Sequence, residues 1–497
     1  MSTTGKAVAP GERIAVIDVG SNSVRLVVFE GAERAPDYFF NEKVSCGLGA
    51  QIARTGRLDP DGRARALEVL ARFAALLERI GVTSVDAVAT AAVRDAADGP
   101  AFCDEVATRT GLRLRVIAGE EEARLSAHGV LLAEPETEGL VVDMGGASLE
   151  IATVAGGSVG PRVTLDLGPQ RLAGLEGAAL LKAIDAEYAR ALKSLPGATG
   201  TLTLVGGAWR AFAKIHMHRT AHPLQVLHGY RLDPEAAAEG AAWVARQSMD
   251  ALRAIPGVSA GRAANAPIAG LVLSRLIAAF RPHAVVISAF GLREGLYFEQ
   301  LPPGLLARDP LLDAAERLEA RQARFPGIGK ELEAFVAPVT AGWSAEERRL
   351  AAAACRLNDV NWRAHPDYRA LSCFETVTRA NITGLDHCGR VFIGFALMNR
   401  YGGGRHSADV AEALSLLSPD AKAKAKALGR ALRLGAMIAA SAPGVMAGAT
   451  LDIGKTGVEL HLDPSLATLS GFAVEKRLAA LASALGRESA AIVTRAH

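Results

Sequence analysis

Several common signatures are scarce or missing in this chain of 497 residues. It has five cysteines and no CxxC pair, which argues against a disulfide framework and against a cysteine zinc site. Lys and Arg together number 55 and Asp and Glu 53, so a net charge of +2 gives no general attraction for nucleic acid. The first residues lack the apolar run of a signal peptide, and the apolar stretch 435–451 is interrupted by proline and glycine. We therefore expect a cytoplasmic protein with no membrane span and no nucleic-acid partner.

The composition and the order of hydrophobic patterns predict several folded domains. Half of the residues are hydrophobic, and one core rarely serves more than about 250–300 residues. Patterns typical of strands and helices alternate to about residue 300, helical periodicity fills 311–434, and the rest is mixed, with strands predicted at MIAAS (437–441), ATLDI and VELHL. We predict a tail over 1–12, two α/β domains over 13–135 and 136–304, a helical domain over 305–434 and a small α+β domain over 435–497.

A repeated segment indicates that the two α/β domains are duplicates. IDVGSNSVRLVVF at 17–29 and VDMGGASLEIATV at 142–154 share the order Asp, apolar, Gly, two residues, Ser and an apolar strand. The two aspartates, Asp18 and Asp143, lie 125 residues apart, which is about one domain. Each copy therefore predicts a strand, a tight loop and a second strand at the start of its domain.

The chemistry of these loops suits phosphate. Glycine lets the backbone approach an anion, serine hydroxyls add donors, and an aspartate at a strand end can hold a divalent cation that bridges phosphate oxygens. The alternative is a pair of ordinary glycine hairpins, in which serine and asparagine serve the turn geometry. Two copies in register favour two phosphate loops that face each other.

Carboxylates and one arginine lie between the two loops in the sequence. Glu120, Glu121 and Glu122 open a helix after a strand, where acids also complement the helix dipole. Close carboxylates raise one another's pKa, which suits a general base that takes a proton from water. Arg94 follows a strand end and is a natural donor to phosphate oxygens, although lone arginines are usually solvated.

Two further clusters have competing interpretations. His216, His218, His222 and His228 follow the VGGAW loop, and His-x-His on a strand could hold a metal, although polar loop histidines are the simpler interpretation. A second cluster recurs at the spacing of one helical face and is either a solvated surface or a rail for a polyanion: Lys422, Lys426, Arg430 and Arg433.

Taken together, the motifs resemble the exopolyphosphatase / guanosine pentaphosphate phosphohydrolase family. The motifs, in the family's order, are the two repeats, ATAAVRDA, GEEEARLSAHGV, LGPQRL, VGGAWRAFA, the RAANAPIAG stretch and GLREGL. The resemblance is close over 13–300 and implies two duplicated actin- and sugar-kinase-like (ribonuclease H-like) α/β domains. The C-terminal part resembles the helical domain of long exopolyphosphatases. Such domains have a His-Asp pair, and this chain has Asn358-Asp359 in its place, so we expect no second metallohydrolase centre.

The resemblance also implies roles for individual residues. Glu122 matches the glutamate that activates water, with Glu121 as the alternative, while Asp143 and Glu150 match metal-associated acids. Ala147 stands where the family has a third glycine in the second loop. The residues that match phosphate-binding positions are Ser21, Asn22, Ser23, Arg25, Arg94, Gly145, Gly146, Ser148 and Arg262.

The expected activity follows from the same resemblance. It implies processive hydrolysis of terminal phosphoanhydride bonds of inorganic polyphosphate, with Mg²⁺ as cofactor and a monovalent cation such as K⁺ as a further candidate. Guanosine pentaphosphate is the alternative substrate, and a non-catalytic phosphate-responsive scaffold is the alternative function. A homodimer is expected on the same ground.

Overall fold

The computed structural model describes residues 12–403 and 407–494. The predicted N-terminal tail lies outside the described residues except for its last member. The chain divides into two compact units, 1–308 and 309–497.

The first half of the first unit is a five-stranded sheet in the order β3-β2-β1-β4-β5, with the first three strands antiparallel and the last two parallel to β1. Local signals define its long helix α2, which Asp59 caps by accepting a hydrogen bond from the Gly62 amide and which ends at Gly81 with φ +74°. The elements are β1 Ile14–Val19, β2 Ser23–Phe29, β3 Tyr38–Ser45, α1 Ile52–Thr55, α2 Pro60–Ile80, β4 Ser84–Ala89, α3 Ala91–Asp95, α4 Gly99–Thr110, β5 Arg115–Val116 and α5 Gly119–Ala133.

The second half repeats this strand order. Its sheet runs β8-β7-β6-β9-β11, and β10 is added at the far edge. The elements are β6 Gly139–Met144, β7 Leu149–Ala155, β8 Ser158–Leu165, α6 Pro169–Leu172, α7 Gly177–Ser194, β9 Thr201–Val205, α8 Gly207–Arg219, β10 Tyr230–Leu232, α9 Pro234–Ala245, α10 Met249–Arg253, α11 Ala260–Phe280, β11 Ala284–Ile287, α12 Leu292–Phe298 and α13 Pro303–Leu306. The shared topology confirms the duplicated α/β fold predicted from the repeat.

Helix α5 lies between the two sheets and contributes to both cores. Leu125 and Leu132 belong to the core of the first sheet, while Ala127 and Val130 belong to that of the second. Helix α12 packs closely against α5, because a methyl group on Gly295 would lie 1.8 Å from the Leu125 carbonyl oxygen. This arrangement fixes the first turn of α5 at the junction of the two halves.

One described helix, α11, is long and apolar enough to cross a membrane by length and composition alone. Half of its most apolar window is buried, and Ala263, Val272 and Leu276 are fully buried in the core of the second half. A core helix of a folded unit has these properties.

The second unit is helical and ends in a small three-stranded sheet, β12-β13-β14. Its elements are α14 Pro310–Gln322, α15 Ile328–Thr340, α16 Ala345–Arg356, α17 Arg369–Arg379, α18 His387–Arg400, α19 Ala408–Leu414, α20 Pro419–Ala439, β12 Ala449–Ile453, β13 Gly457–Leu462, α21 Phe472–Ala484 and β14 Ser489–Thr494.

Two sequence predictions fail in detail. MIAAS was expected to be a strand, but 437–439 form the end of α20, because Ile438 and Ala439 continue the buried face of that helix. The predicted boundary between 434 and 435 therefore falls inside α20. Strand β5 spans only Arg115–Val116, since only Val88 and Ala89 of β4 pair with it.

Candidate active site

The two repeated loops have the same backbone structure. In the first, the Gly20 amide donates to the Ser23 carbonyl at 3.0 Å, and in the second, the Gly145 amide donates to the Ser148 carbonyl, also at 3.0 Å. The two hairpins share one register, since Asp18 pairs with Arg25 and Asp143 pairs with Glu150. The duplication thus extends from sequence to hydrogen bonding.

The loops lie close together, with Gln170 of α6 between them. The backbone amide of Gln170 donates to the Gly146 carbonyl at 2.9 Å. Methyl groups on Gly146 and on Gly49 would each lie 3.3 Å from the Gln170 side-chain oxygen, and the Gly49 amide donates to the Ser21 carbonyl at 2.8 Å. The structure therefore brings the two predicted phosphate loops to one cleft, with the serines Ser21 and Ser148 both buried.

Glu122, in the first turn of α5, faces the acidic strand ends at this cleft. Its side chain is buried, with the residue only 8% exposed, and its Oε2 lies 3.7 Å from Arg94 Nη1. Burial, then the nearby Glu150 and Asp143 carboxylates, raise the pKa of Glu122 well above its usual range, and Arg94 opposes them only in part. A carboxyl group in this environment has the basicity that a general base for water requires.

Glu150 and Asp143 complete the acidic group. Burial raises the pKa of Glu150 to about 8, Asp143 adds to the shift, and the nearby Ser148 hydroxyl opposes it. Asp143 accepts a hydrogen bond from Ser126 Oγ of α5 at 2.5 Å, and burial raises its pKa. The glycine Gly206, with φ +112°, brings the loop before α8 against Asp143, because a methyl group there would lie 2.8 Å from Oδ1.

The donor set fits a hard divalent cation. Within the described residues, Glu122 Oε2 and both carboxylate oxygens of Glu150 are buried and accept no hydrogen bond of standard geometry. Buried carboxylate oxygens of this kind are costly unless a proton or a cation compensates them. Oxygen ligands are what Mg²⁺ prefers, so Asp143 and Glu150 are suitable residues to hold it.

Basic side chains surround the acids. Arg94 Nη1 donates to the Ile117 carbonyl at 3.1 Å, which holds its guanidinium beside Glu122. Arg293 of α12 forms an ion pair with Asp18 at 3.4 Å, and Arg210 of α8 donates to the Ala289 carbonyl at 2.8 Å. Burial, followed by repulsion from Arg293, lowers the pKa of Arg210.

Three basic residues near these acids were not predicted from the sequence: Arg210, Arg293 and Lys43 on β3. The motifs VGGAWRAFA and GLREGL carried the first two, but neither arginine stood out by spacing. Lys43 lies in no glycine-rich loop, and only strand pairing places it beside Arg25. Arg25, from the predicted set, donates to Asn41 Oδ1 at 2.8 Å, and burial followed by Arg293 lowers its pKa to about 10. Of the remaining predicted loop residues, Asn22 is exposed and Ser23 is partly buried.

Glu121 has a different environment from its neighbour. Arg124 donates to both of its carboxylate oxygens, at 2.7 and 3.0 Å, and Arg115 lies 3.5 Å away. The hydrogen bonds from Arg124 lower the pKa of Glu121. The structure therefore places Glu121 in a surface ion-pair network and Glu122 in the acidic group.

The predicted basic stripe lies on helix α20 of the second unit. Lys426 is exposed, and Lys422, Arg430 and Arg433 are partly buried. Burial, then Arg477, lowers the pKa of Arg433 to about 10.

Asp359 belongs to the Asn358-Asp359 motif that stands in place of a His-Asp pair. Its carboxylate accepts two hydrogen bonds from the Arg324 guanidinium, each 2.7 Å long, so two guanidinium N–H groups occupy its oxygens.

The histidine cluster lies partly on a helix and partly in a loop. His222 and His228 lie in the segment between α8 and β10, as the loop interpretation predicted. His216 and His218 lie on helix α8, and not on a strand or in a loop. His216 is buried, and its Nδ1 is 2.8 Å from the Tyr230 hydroxyl. Because helical residues two apart point in different directions, His216 and His218 do not form the strand-borne metal pair that was the less favoured interpretation.

Two sheets of equal strand order, with duplicated glycine-serine loops facing one cleft, define a protein of the actin- and sugar-kinase-like class. Residues 26–303 match the model of the Ppx/GppA phosphatase family, and residues 311–492 match that of the exopolyphosphatase C-terminal domain. This chain belongs to the Ppx/GppA phosphatase family.

Individual relatives agree with this assignment. The chain is 26% identical to retrograde regulation protein 2 of Saccharomyces cerevisiae over 78% of its own length and 72% of that protein. It is 28% identical to exopolyphosphatase 1 of Mycobacterium tuberculosis over 58% of its own length and 88% of that protein.

Solved structures match more than half of the chain. A Ppx/GppA family member from Aquifex aeolicus matches with a TM-score of 0.51 and 25% identity, over 58% of this chain and 97% of that one. An exopolyphosphatase from Cytophaga hutchinsonii matches with a TM-score of 0.52 and 22% identity, over 59% of this chain and 99% of that one. The second comparison shows the shared fold.

Proposed function

We propose that this protein is an exopolyphosphatase, which hydrolyses the terminal phosphoanhydride bond of inorganic polyphosphate and releases orthophosphate. The observation that carries the proposal is the position of Glu122, buried among carboxylates where two duplicated glycine-serine loops meet. The similarity to exopolyphosphatase 1 of Mycobacterium tuberculosis supports the substrate class.

Each residue would contribute to one displacement at phosphorus. The oxygen of a water molecule attacks the terminal phosphorus, Glu122 accepts the proton of that water, and the bond from this phosphorus to the bridging oxygen breaks. The loop amides and Arg94 bind the terminal phosphoryl oxygens, because charge neutralisation and positioning lower most of the barrier to phosphoryl transfer. Mg²⁺, held by Asp143 and Glu150, would supply further neutralisation of phosphate charge.

A phosphate-release assay with Mg²⁺ tests this proposal. Long-chain polyphosphate, tripolyphosphate and guanosine pentaphosphate are compared side by side, with wild type and Glu122→Gln. We expect the highest kcat/KM with long chains and loss of activity in the variant. Preference for guanosine pentaphosphate would favour the alternative hydrolase, which could use the same site.

A regulatory function is the second candidate, because the yeast relative that aligns over 78% of this chain is named a regulation protein. A scaffold needs phosphate binding but no water-activating acid. The burial and acidic surroundings of Glu122 favour the enzyme, since a buried carboxylate is costly to keep without a use. Polyphosphate binding without any phosphate release would support the scaffold.

A further inference from the structure

A row of three charged residues crosses the first sheet at the mouth of the cleft. Asp18 on β1 pairs with Arg25 on β2, and Arg25 pairs with Lys43 on β3. Side chains of directly paired residues project from the same face of a sheet. The three side chains therefore share the face that contacts Arg293 of α12.

The equivalent row in the second sheet has the opposite character. Asp143 pairs with Glu150, and Glu150 pairs with Thr164. The duplication thus has Asp-Arg-Lys in one half and Asp-Glu-Thr in the other. The first row supplies cations where the second supplies the acids described above.

The row holds a single acid, Asp18, for two cations, Arg25 and Lys43. Lys43 is exposed and makes no ion pair with any residue in 12–403 or 407–494. It lies directly opposite Arg25 on the neighbouring strand, and like charges in that position are destabilising. Partial desolvation lowers the pKa of Lys43, and Arg262 and Arg25 lower it further. The nearest acid in the row, Asp18, already pairs with Arg293 at 3.4 Å. A group of cations this dense is stabilised when an anion binds.

We propose that Lys43 is a substrate-binding residue that, together with Arg25 and Arg262, holds the phosphates behind the terminal one. This inference rests on the proposed function and adds the direction in which the polyphosphate chain lies in the cleft. The terminal phosphoryl group lies at the acidic row, and the remaining chain runs along the basic row. Since neighbouring strands are about 4.8 Å apart, β3 lies about 10 Å from β1, which is why Lys43 contacts phosphates beyond the first.

Direct binding separates this inference from the proposed function. Binding of long-chain polyphosphate and of tripolyphosphate is measured with EDTA present for wild type, Lys43→Met and Lys43→Arg. The matched control is Lys182→Met, an exposed lysine on α7. We expect Lys43→Met to bind long chains roughly 10-fold more weakly, with a smaller loss for tripolyphosphate, and Lys43→Arg to recover most of the affinity.

The kinetic readout should agree with the binding. KM for long chains should rise in Lys43→Met while kcat at saturation stays near that of wild type, and the melting temperature should not fall, because removal of Lys43 relieves repulsion. Unchanged binding of long chains by a folded Lys43→Met would overturn the inference and leave the proposed function intact. A wild type that neither binds nor hydrolyses polyphosphate would overturn both.

Discussion

Glu121 and Glu122 are neighbours in sequence, yet the first is bound by Arg124 at 2.7 Å and the second has no cation closer than Arg94 at 3.7 Å within the described residues. Their side chains project in different directions from the first turn of α5. One joins an ion-pair network, and the other joins the acids of the cleft. This difference separates the two candidates for the general base.

Glu122→Gln should lower kcat for polyphosphate roughly 10²-fold or more, because the amide cannot accept a proton from water. It should also raise the melting temperature, since a neutral side chain relieves repulsion from Glu150 and Asp143. Glu121→Gln is the matched control and should keep activity near that of wild type. Phosphate release and thermal unfolding measure both effects, and an active Glu122→Gln would exclude Glu122 as the base.

Mg²⁺ should raise the melting temperature of the wild-type protein by several degrees, because a cation bound only to the folded state stabilises it by mass action. The shift should be much smaller in Asp143→Asn and in Glu150→Gln, each of which removes a carboxylate. Glu121→Gln should retain the full shift. Thermal unfolding with and without Mg²⁺ gives the result without reference to activity, and equal shifts in all variants would place the cation elsewhere.

Gly295→Ala should destabilise the first unit by at least about 2 kcal/mol, because the added methyl group would lie 1.8 Å from the Leu125 carbonyl oxygen and would push α12 away from α5. Gly304→Ala is the control, since a methyl group there has no atom within 4 Å. Denaturant unfolding measures the difference. Equal stability of the two variants would show that α5 and α12 are not held as closely as described.

His216 should make the stability of the first unit depend on pH. Burial lowers the pKa of His216 in the folded state, so the unfolded state binds the proton more readily. The contribution of this residue is therefore complete above the unfolded pKa of about 6.5 and is lost as the pH falls below it. The melting temperature should fall between pH 7 and pH 5, and the fall should be smaller in His216→Phe. The same pH dependence in both proteins would assign it to other groups.

Replacement of all four stripe residues on α20, Lys422, Lys426, Arg430 and Arg433, by glutamine should raise KM for long-chain polyphosphate more than for tripolyphosphate if the stripe is a rail. Lys424→Gln is a suitable control, because Lys424 already pairs with Glu347 at 2.7 Å and Asp420 at 2.8 Å. KM values for the two chain lengths decide the matter. A uniform effect on both lengths would identify the stripe as a solvated surface.

The strand-loop-strand repeat predicted much of the first unit, because the spacing of Asp18, Ser23 and their counterparts reflects local backbone structure that recurs in both halves. MIAAS was assigned wrongly, because a short apolar run fits either a strand or the end of a buried helix. The orientation of Glu121 and Glu122 needed tertiary structure, since Arg115 comes from β5.

The basic residues of the cleft were the hardest to predict. Arg293 reaches Asp18 across 275 residues of sequence, and Lys43 reaches Arg25 only through strand pairing. No local pattern distinguishes these side chains from solvated ones. A repeat can thus indicate where a site lies, while the residues that balance its charge depend on contacts distant in sequence.

The position of α5 between the two sheets has a consequence for how the first unit unfolds. Neither half can lose its structure without exposing one side of a helix that the other half still needs, so the duplicated pieces should melt together in a single calorimetric transition. The smallest unit that unfolds cooperatively is then larger than one duplicated α/β half. Expression of either half alone should therefore yield an insoluble fragment.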